Sequence, residues 1–125
     1  MNTSELPHIL HLVRWYPYPV DPMFGLFIRR HILSTVNHAR STVIFVRPDS
    51  TVRTVSRVES VEDGIREIRI TYPEKSARAL NALTFMRMAY GAATEVHRES
   101  PVDLVHVHVL TRLGVVAWWM KKRFG

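Results

Sequence analysis

The chain has 125 residues with 46% apolar and 22% charged content and no cysteine, which excludes wholesale disorder, a disulfide framework and a thiolate site, and leaves one domain with a substantial core. No apolar run approaches the roughly 18–20 residues that span a bilayer, and the first residues, broken by His11 and Arg14, are not expected to form a secretory leader. The formal charge of +6 comes mostly from arginines scattered singly, with one cluster, Lys121-Lys122-Arg123, at a helix end where the macrodipole favours cations; a solvated surface is therefore expected, with no nucleic-acid partner and with contact to an anionic membrane face left open.

Residues 8–17, HILHLVRWYP, are a near-continuous apolar run ending in proline, the pattern of a strand covered on both faces. Phe24, Phe27, Ile28, Ile32 and Val36 then recur at helical spacing and predict a helix over 24–39. Arg29 and Arg30 lie off that stripe. STVIFVRP (41–48) predicts a second buried strand stopped by Pro48. TVRTVSRVES and IREIRITYP alternate at period two around an Asp63-Gly64 turn, which predicts a hairpin of partly exposed edge strands. A long helix is expected over 76–100 with Ser76 as N-cap, then a buried strand over 101–109, then a helix to Gly125. The order β-α-β-(ββ)-α-β-α predicts a Rossmann-like, doubly wound α/β domain with a mainly parallel sheet and a β-hairpin excursion. In such sheets the ligand crevice lies outside the carboxyl ends of the strands. The 15–25 loop and the segment after Val109 therefore belong to one rim.

Gly25 opens the first helix, where it lets a backbone or a ligand come close and where unpaired N–H groups would welcome an anion. The prolines around it set the loop in advance; ending the strand and easing a sharp turn is the alternative role. Neither GxGxxG nor GxxxxGK[ST] occurs, which excludes the usual dinucleotide dehydrogenase and P-loop fingerprints. His106 and His108 point to one face of their strand together with Leu104. Two imidazoles need a third ligand to hold a metal, and no acidic residue lies close in sequence; no metal is therefore expected. His108 is assigned to hydrogen bonding at the rim, and His106, His8 and His11 to the core. The last helix is apolar around most of its girth, through Leu113, Val116, Ala117, Met120 and Phe124 on one face and Val115, Trp118 and Trp119 outside it. That predicts a further packing neighbour, the alternative being tryptophan lying beneath the lysine stems.

HLVRWYPYPVDPMFGLFIRRHILSTV followed by DLVHVHVLTRLGVVAWWMKKRFG resembles the N-terminal, acceptor-side half of retaining GT-B glycosyltransferases of bacterial polysaccharide and glycolipid synthesis. The matching residues are Pro17, Gly25, Phe27, Arg29, Arg30, Asp103, His106, His108 and Gly114. The resemblance implies a single Rossmann-like domain over 1–125, a fragment whose final strand and donor-binding C-terminal domain lie outside it. It implies binding of a saccharide or lipid-linked acceptor, a nucleotide sugar as co-substrate of the whole enzyme, no metal, and no transfer by this chain alone, so that no catalytic residue is assigned here. The residues expected at the acceptor and diphosphate rim are Tyr16, Tyr18, Gly25, Arg29, His108, Thr111 and Arg112, with Gly25 admitting the donor diphosphate. A cytoplasmic location, peripheral contact with the inner membrane face, and self-association through the last helix complete the expectation. A free-standing α/β ligand-binding or protein-interaction module, and a fragment of a GT-B-type sugar-nucleotide epimerase, remain as alternatives.

Overall fold

The structure, a computed structural model, describes residues 6–108 and 112–125, the side chains of residues 112 and 113 excepted. Among the described residues five strands and three helices follow one another: β1 (His8–Val13), α1 (Leu26–Leu33), β2 (Arg40–Asp49), β3 (Ser56–Glu62), β4 (Ile65–Pro73), α2 (Arg78–Glu99), β5 (Leu104–His108) and α3 (Arg112–Phe124). They form one sheet in the order β3-β4-β2-β1-β5. β4, β2, β1 and β5 are mutually parallel, and β3 joins β4 antiparallel through the predicted hairpin. Asp63 and Gly64 both take positive φ, 53° and 80°, as a tight hairpin turn demands.

Alternation along the strands sorts the side chains into two cores. Val13, Val43, Phe45 and Ile65 pack with Ile28 and Ile32 of α1 on one face. Leu10, Leu12, Ile44, Val46, Ile68 and Ile70 meet α2 and α3 on the other, where Ala89, Ala92 and Ala93 make up much of the buried side of α2. Helices on both faces of a mostly parallel sheet are the doubly wound α/β architecture. After β1 the chain moves outward to β2; after β4 it crosses back to β5 on the far side of β1. The strand order thus reverses between β1 and β5, which puts the switch-point crevice at their carboxyl ends. Val13 and His108, the last residues of the two strands, are register partners. The loop after β1 and the carboxyl end of β5 therefore share one rim, while the segment that begins at Val109, expected at the same rim, starts outside the described residues.

Several boundaries differ from expectation for local physical reasons. α1 ends at Leu33 rather than residue 39, because the Ser34 and Thr35 hydroxyls donate back to the carbonyls of His31 and Ile32 at 2.5 and 2.8 Å, drawing those acceptors out of a helical ladder. α2 is capped by Ala77 and not by Ser76; the Asn81 side chain instead accepts from the Lys75 N–H at 3.0 Å. Pro48 does not stop β2, which pairs with β4 through Asp49. β4 is no edge strand, since it lies between β3 and β2 and buries Ile65, Glu67, Ile68, Ile70 and Tyr72. Conversely β5, expected to be buried, is the edge of the sheet, and Leu104 is 57% exposed. Trp119 finds its neighbour within the chain, edge-on to Tyr90 of α2 at 5.6 Å between ring centroids. Trp118 stays 56% exposed with the Lys122 ammonium 5.4 Å from its ring.

Candidate functional site

The loop leaving β1 is built as a stiff lip. Tyr18 and Asp21 exchange backbone hydrogen bonds, Tyr18 N–H to Asp21 O at 3.3 Å and Asp21 N–H to Tyr18 O at 2.9 Å, and prolines stand at 17, 19 and 22. Arg69 of β4 donates its Nε–H to the Pro17 carbonyl at 3.0 Å and so ties the lip to the sheet. At its end Gly25 takes φ +64°, in the left-handed region. A Cβ there would stand 2.4 Å from the Trp15 carbonyl carbon and 2.6 Å from the Tyr16 nitrogen. The close approach for which Gly25 is needed is therefore that of the chain's own backbone. The expected open anion seat at this helix start is also partly occupied, since Leu26 N–H bonds Met23 O at 3.2 Å and Ile28 N–H bonds Gly25 O at 3.0 Å.

Between this lip, the start of α1 and the carboxyl-terminal halves of β2 and β4 lies a groove of about 620 Å³. Its presence follows from the strand pattern. On the α1 face, β2 runs Val43, Phe45, Arg47 and β4 runs Ile65, Glu67, Arg69, Thr71, so core residues give way to polar ones toward the rim. The Arg47 guanidinium lies over the Tyr18 ring, 4.3 Å from its centroid, and pairs with Asp49 at 3.3 Å. Phe45, Tyr18 and Phe24 form an aromatic wall with centroids 6.0–6.3 Å apart.

Glu67 stands fully buried beneath the groove. It accepts from Arg29 Nε–H at 2.9 Å and from the Tyr16 hydroxyl in a very short contact, and Arg69 lies 3.6 Å away. A buried carboxylate is tolerable only when paired and hydrogen-bonded in this way. One of its oxygens, Oε1, is sealed in without a partner among the described residues. Burial, together with the hydrogen bond to Glu67 and its charge, raises the Tyr16 phenol well above its usual range. For Arg29 burial opposes the charge, but hydrogen bonds to Glu67 and Asp63 overcome it and hold the guanidinium firmly protonated.

A second cluster sits one strand over. The β1–β5 register pairs His11 with His106 and puts His108 one step further along the same face. His11 Nδ1 and His108 Nε2 are 3.0 Å apart, and the His106 and His108 rings stack at 4.0 Å. His31 of α1 stands edge-on to both, 6.2 and 6.0 Å away. Burial, then repulsion from His108, His106 and His31, lowers His11 to about 3. Burial, then His106 and His31, lower His108 to about 4, and burial and His31 lower His106. Near neutral pH the three rings are uncharged, and each offers one lone-pair nitrogen. His8 points to the other face and is structural: its ring bridges Thr42 Oγ1 at 2.8 Å and the Ser100 carbonyl at 3.0 Å.

Of the residues expected at the rim, Tyr18 lines the groove and His108, half-buried, belongs to the histidine cluster. Tyr16 does not reach the rim, because its ring is fully buried and its hydroxyl turns down to Glu67. Arg29 borders the groove, but its side chain is only 13% exposed and is held by Glu67 and Asp63 instead of lying free in solvent. Thr111 and the Arg112 side chain lie outside the described residues. His106, expected in the core, is exposed, as befits an edge strand. Sequence reasoning missed Arg47, Glu67, Arg69 and the role of His11. The run Ile65, Glu67, Arg69, Thr71, increasingly polar along one face of an otherwise apolar strand, was the available signal for the groove. His11 had none, because its partner lies 97 residues away in the chain. No helix of the described residues is long and apolar enough to cross a membrane. The chain matches no protein-family model, no curated protein and no solved structure.

Proposed function

We propose that this chain is the acceptor-side half of a nucleotide-sugar-dependent glycosyltransferase of GT-B architecture, binding a saccharide or lipid-linked acceptor and performing no transfer alone. The observation that carries this reading is the groove at the carboxyl edge of the doubly wound sheet, walled by Tyr18 and Phe45 and edged by Arg47 and Arg69. Saccharides present apolar C–H faces that pack on aromatic rings, and hydroxyls or acidic groups that take hydrogen bonds from arginine. The lip is rigid before binding, which lowers the ordering cost. Glu67 positions Arg29 and Arg69 without entering the groove. In this reading the edge of β5 and the neighbouring exposed Leu104, Val115 and Trp118 meet the rest of the fold, and Gly25 fixes the lip and has no direct part in admitting the donor.

Calorimetry of the chain with phosphorylated or acidic oligosaccharides, beside nucleotide diphosphate sugars, tests the proposal. Saccharide binding that weakens about tenfold or more in Arg47→Ala, with no donor binding, is the expected result. Tight unaided binding of a nucleotide sugar, or saccharide binding indifferent to Arg47→Ala, overturns it. The first outcome favours a free-standing ligand-binding module, the reading that a groove formed entirely within one chain also supports.

A further inference from the structure

His11, His106 and His108 do not line the groove. From their geometry we infer that His11, His106 and His108 form a site for a borderline divalent transition-metal ion of the zinc class.

One ring nitrogen from each of the three residues lies within 4.8 Å of the other two, and the closest pair, His11 Nδ1 and His108 Nε2, are 3.0 Å apart. Imidazole nitrogens 2.0–2.1 Å from a tetrahedral zinc stand about 3.4 Å from one another, so small ring rotations bring this set to coordination geometry. The backbone that holds the rings is the sheet itself: two adjacent parallel strands in fixed register, with His11 opposite His106. Ligands on paired strands are placed more reproducibly than ligands on loops. Three neutral nitrogen donors with no carboxylate suit zinc, nickel or copper and not magnesium or calcium, which take oxygen.

Three protein ligands leave a fourth position. His11 is buried at the sheet, while His106 is exposed at the edge strand. Among the described residues the fourth position is left to water or an anionic oxygen ligand. Three imidazoles with an accessible fourth site describe an ion that can hold or polarise a ligand as well as brace the fold.

The same geometry limits the affinity. Without metal, His11 Nδ1 and His108 Nε2 share a hydrogen bond whose donor depends on the tautomer, and His11 Nε2 is buried without a partner among the described residues. Coordination through Nδ1 requires the His11 proton on Nε2, where it finds no acceptor among the described residues. That penalty weakens the site relative to closed structural zinc sites, whose ligands are all satisfied.

The test is equilibrium dialysis of the intact chain against zinc sulfate, with metal measured by elemental analysis, repeated with nickel and magnesium chlorides. One zinc per chain, nickel competition and no magnesium binding are expected. His106→Ala alters an exposed ring on the edge strand and is the variant most certain to fold, so it carries the decision, with far-UV circular dichroism confirming its structure. It should weaken zinc at least tenfold, and His108→Ala should do the same, whereas His38→Ala and His97→Ala should leave it unchanged. Zinc binding that survives His106→Ala in a folded chain, equal loss in His38→Ala, or absence of zinc binding to the unaltered chain at millimolar metal overturns the site.

Discussion

Replacing Gly25 by alanine tests the central structural reading, that the lip is locked by backbone packing on backbone. Two costs add. An L-residue held at φ +64° pays about 1–2 kcal/mol for the left-handed conformation. The new methyl would also stand 2.4 Å from the Trp15 carbonyl carbon and 2.6 Å from both the Trp15 oxygen and the Tyr16 nitrogen. Those are main-chain atoms in the loop just after β1, with no flexible side chain to give way, and relieving the overlap means shifting α1 or that loop by about 1 Å. Forced shifts of that kind cost about 1–3 kcal/mol. The expected loss is thus about 2–5 kcal/mol, a large part of the 5–15 kcal/mol that holds a typical domain folded. Urea denaturation followed by circular dichroism measures it as a lower midpoint at an unchanged slope. Gly91→Ala is the internal reference, because Gly91 is exposed within α2 and a Cβ there meets nothing within 4 Å. That variant should gain about 0.5–1 kcal/mol from helix propensity alone. If Gly25→Ala unfolds within about 0.5 kcal/mol of the unaltered chain, the lip is not packed as described, and the reasoning from it to the rim fails.

Glu67→Leu should cost about 3–5 kcal/mol by stranding Arg29, Arg69 and the Tyr16 hydroxyl, whereas Glu67→Gln, which keeps an acceptor, should lose less; equal losses by thermal denaturation would show that the acceptor contributes nothing and that the carboxylate charge alone holds this group. The Asp49 carboxyl sits below its usual value of 3.8 because the Thr51 hydroxyl and N–H, and then Arg47, bond the ionised form. Its folded value lies below the unfolded one, so its contribution to stability is present above that range and fades as pH falls through it; Thr51→Val should move the Asp49 titration upward in carbon-detected NMR, and an unmoved curve would assign the shift elsewhere. Trp118→Ala should change stability by less than about 1 kcal/mol, since the ring is largely in water, while Trp119→Ala should cost about 2–4 kcal/mol through its lost packing on Tyr90; calorimetric melting of both variants checks the order.

What the sequence determines by itself is what local chemistry controls. Period-two alternation, the Asp63-Gly64 turn and the helical stripe through Ile28 and Ile32 are written within a few residues of where they act, and they yield the element order and the α/β class. Gly25 is legible as special for the same reason, although which atoms press on it is not. The tertiary structure decides everything that depends on which strand lies beside which. β4 is interior because β3 and β2 flank it, and β5 is an edge because it pairs with β1 alone among the described strands, so the local patterns of IREIRITYP and LVHVH misjudge both positions. Tyr16, Arg29 and Glu67 belong to three elements, and whether an arginine off the helix stripe meets water or a buried carboxylate depends on the β2–β4 pairing. His11 and His108 each carry only a strand's alternation in their own neighbourhoods. Their meeting at 3.0 Å is set by a parallel register, in which hydrogen bonds couple residues nearly a full chain length apart and no local pattern encodes the offset.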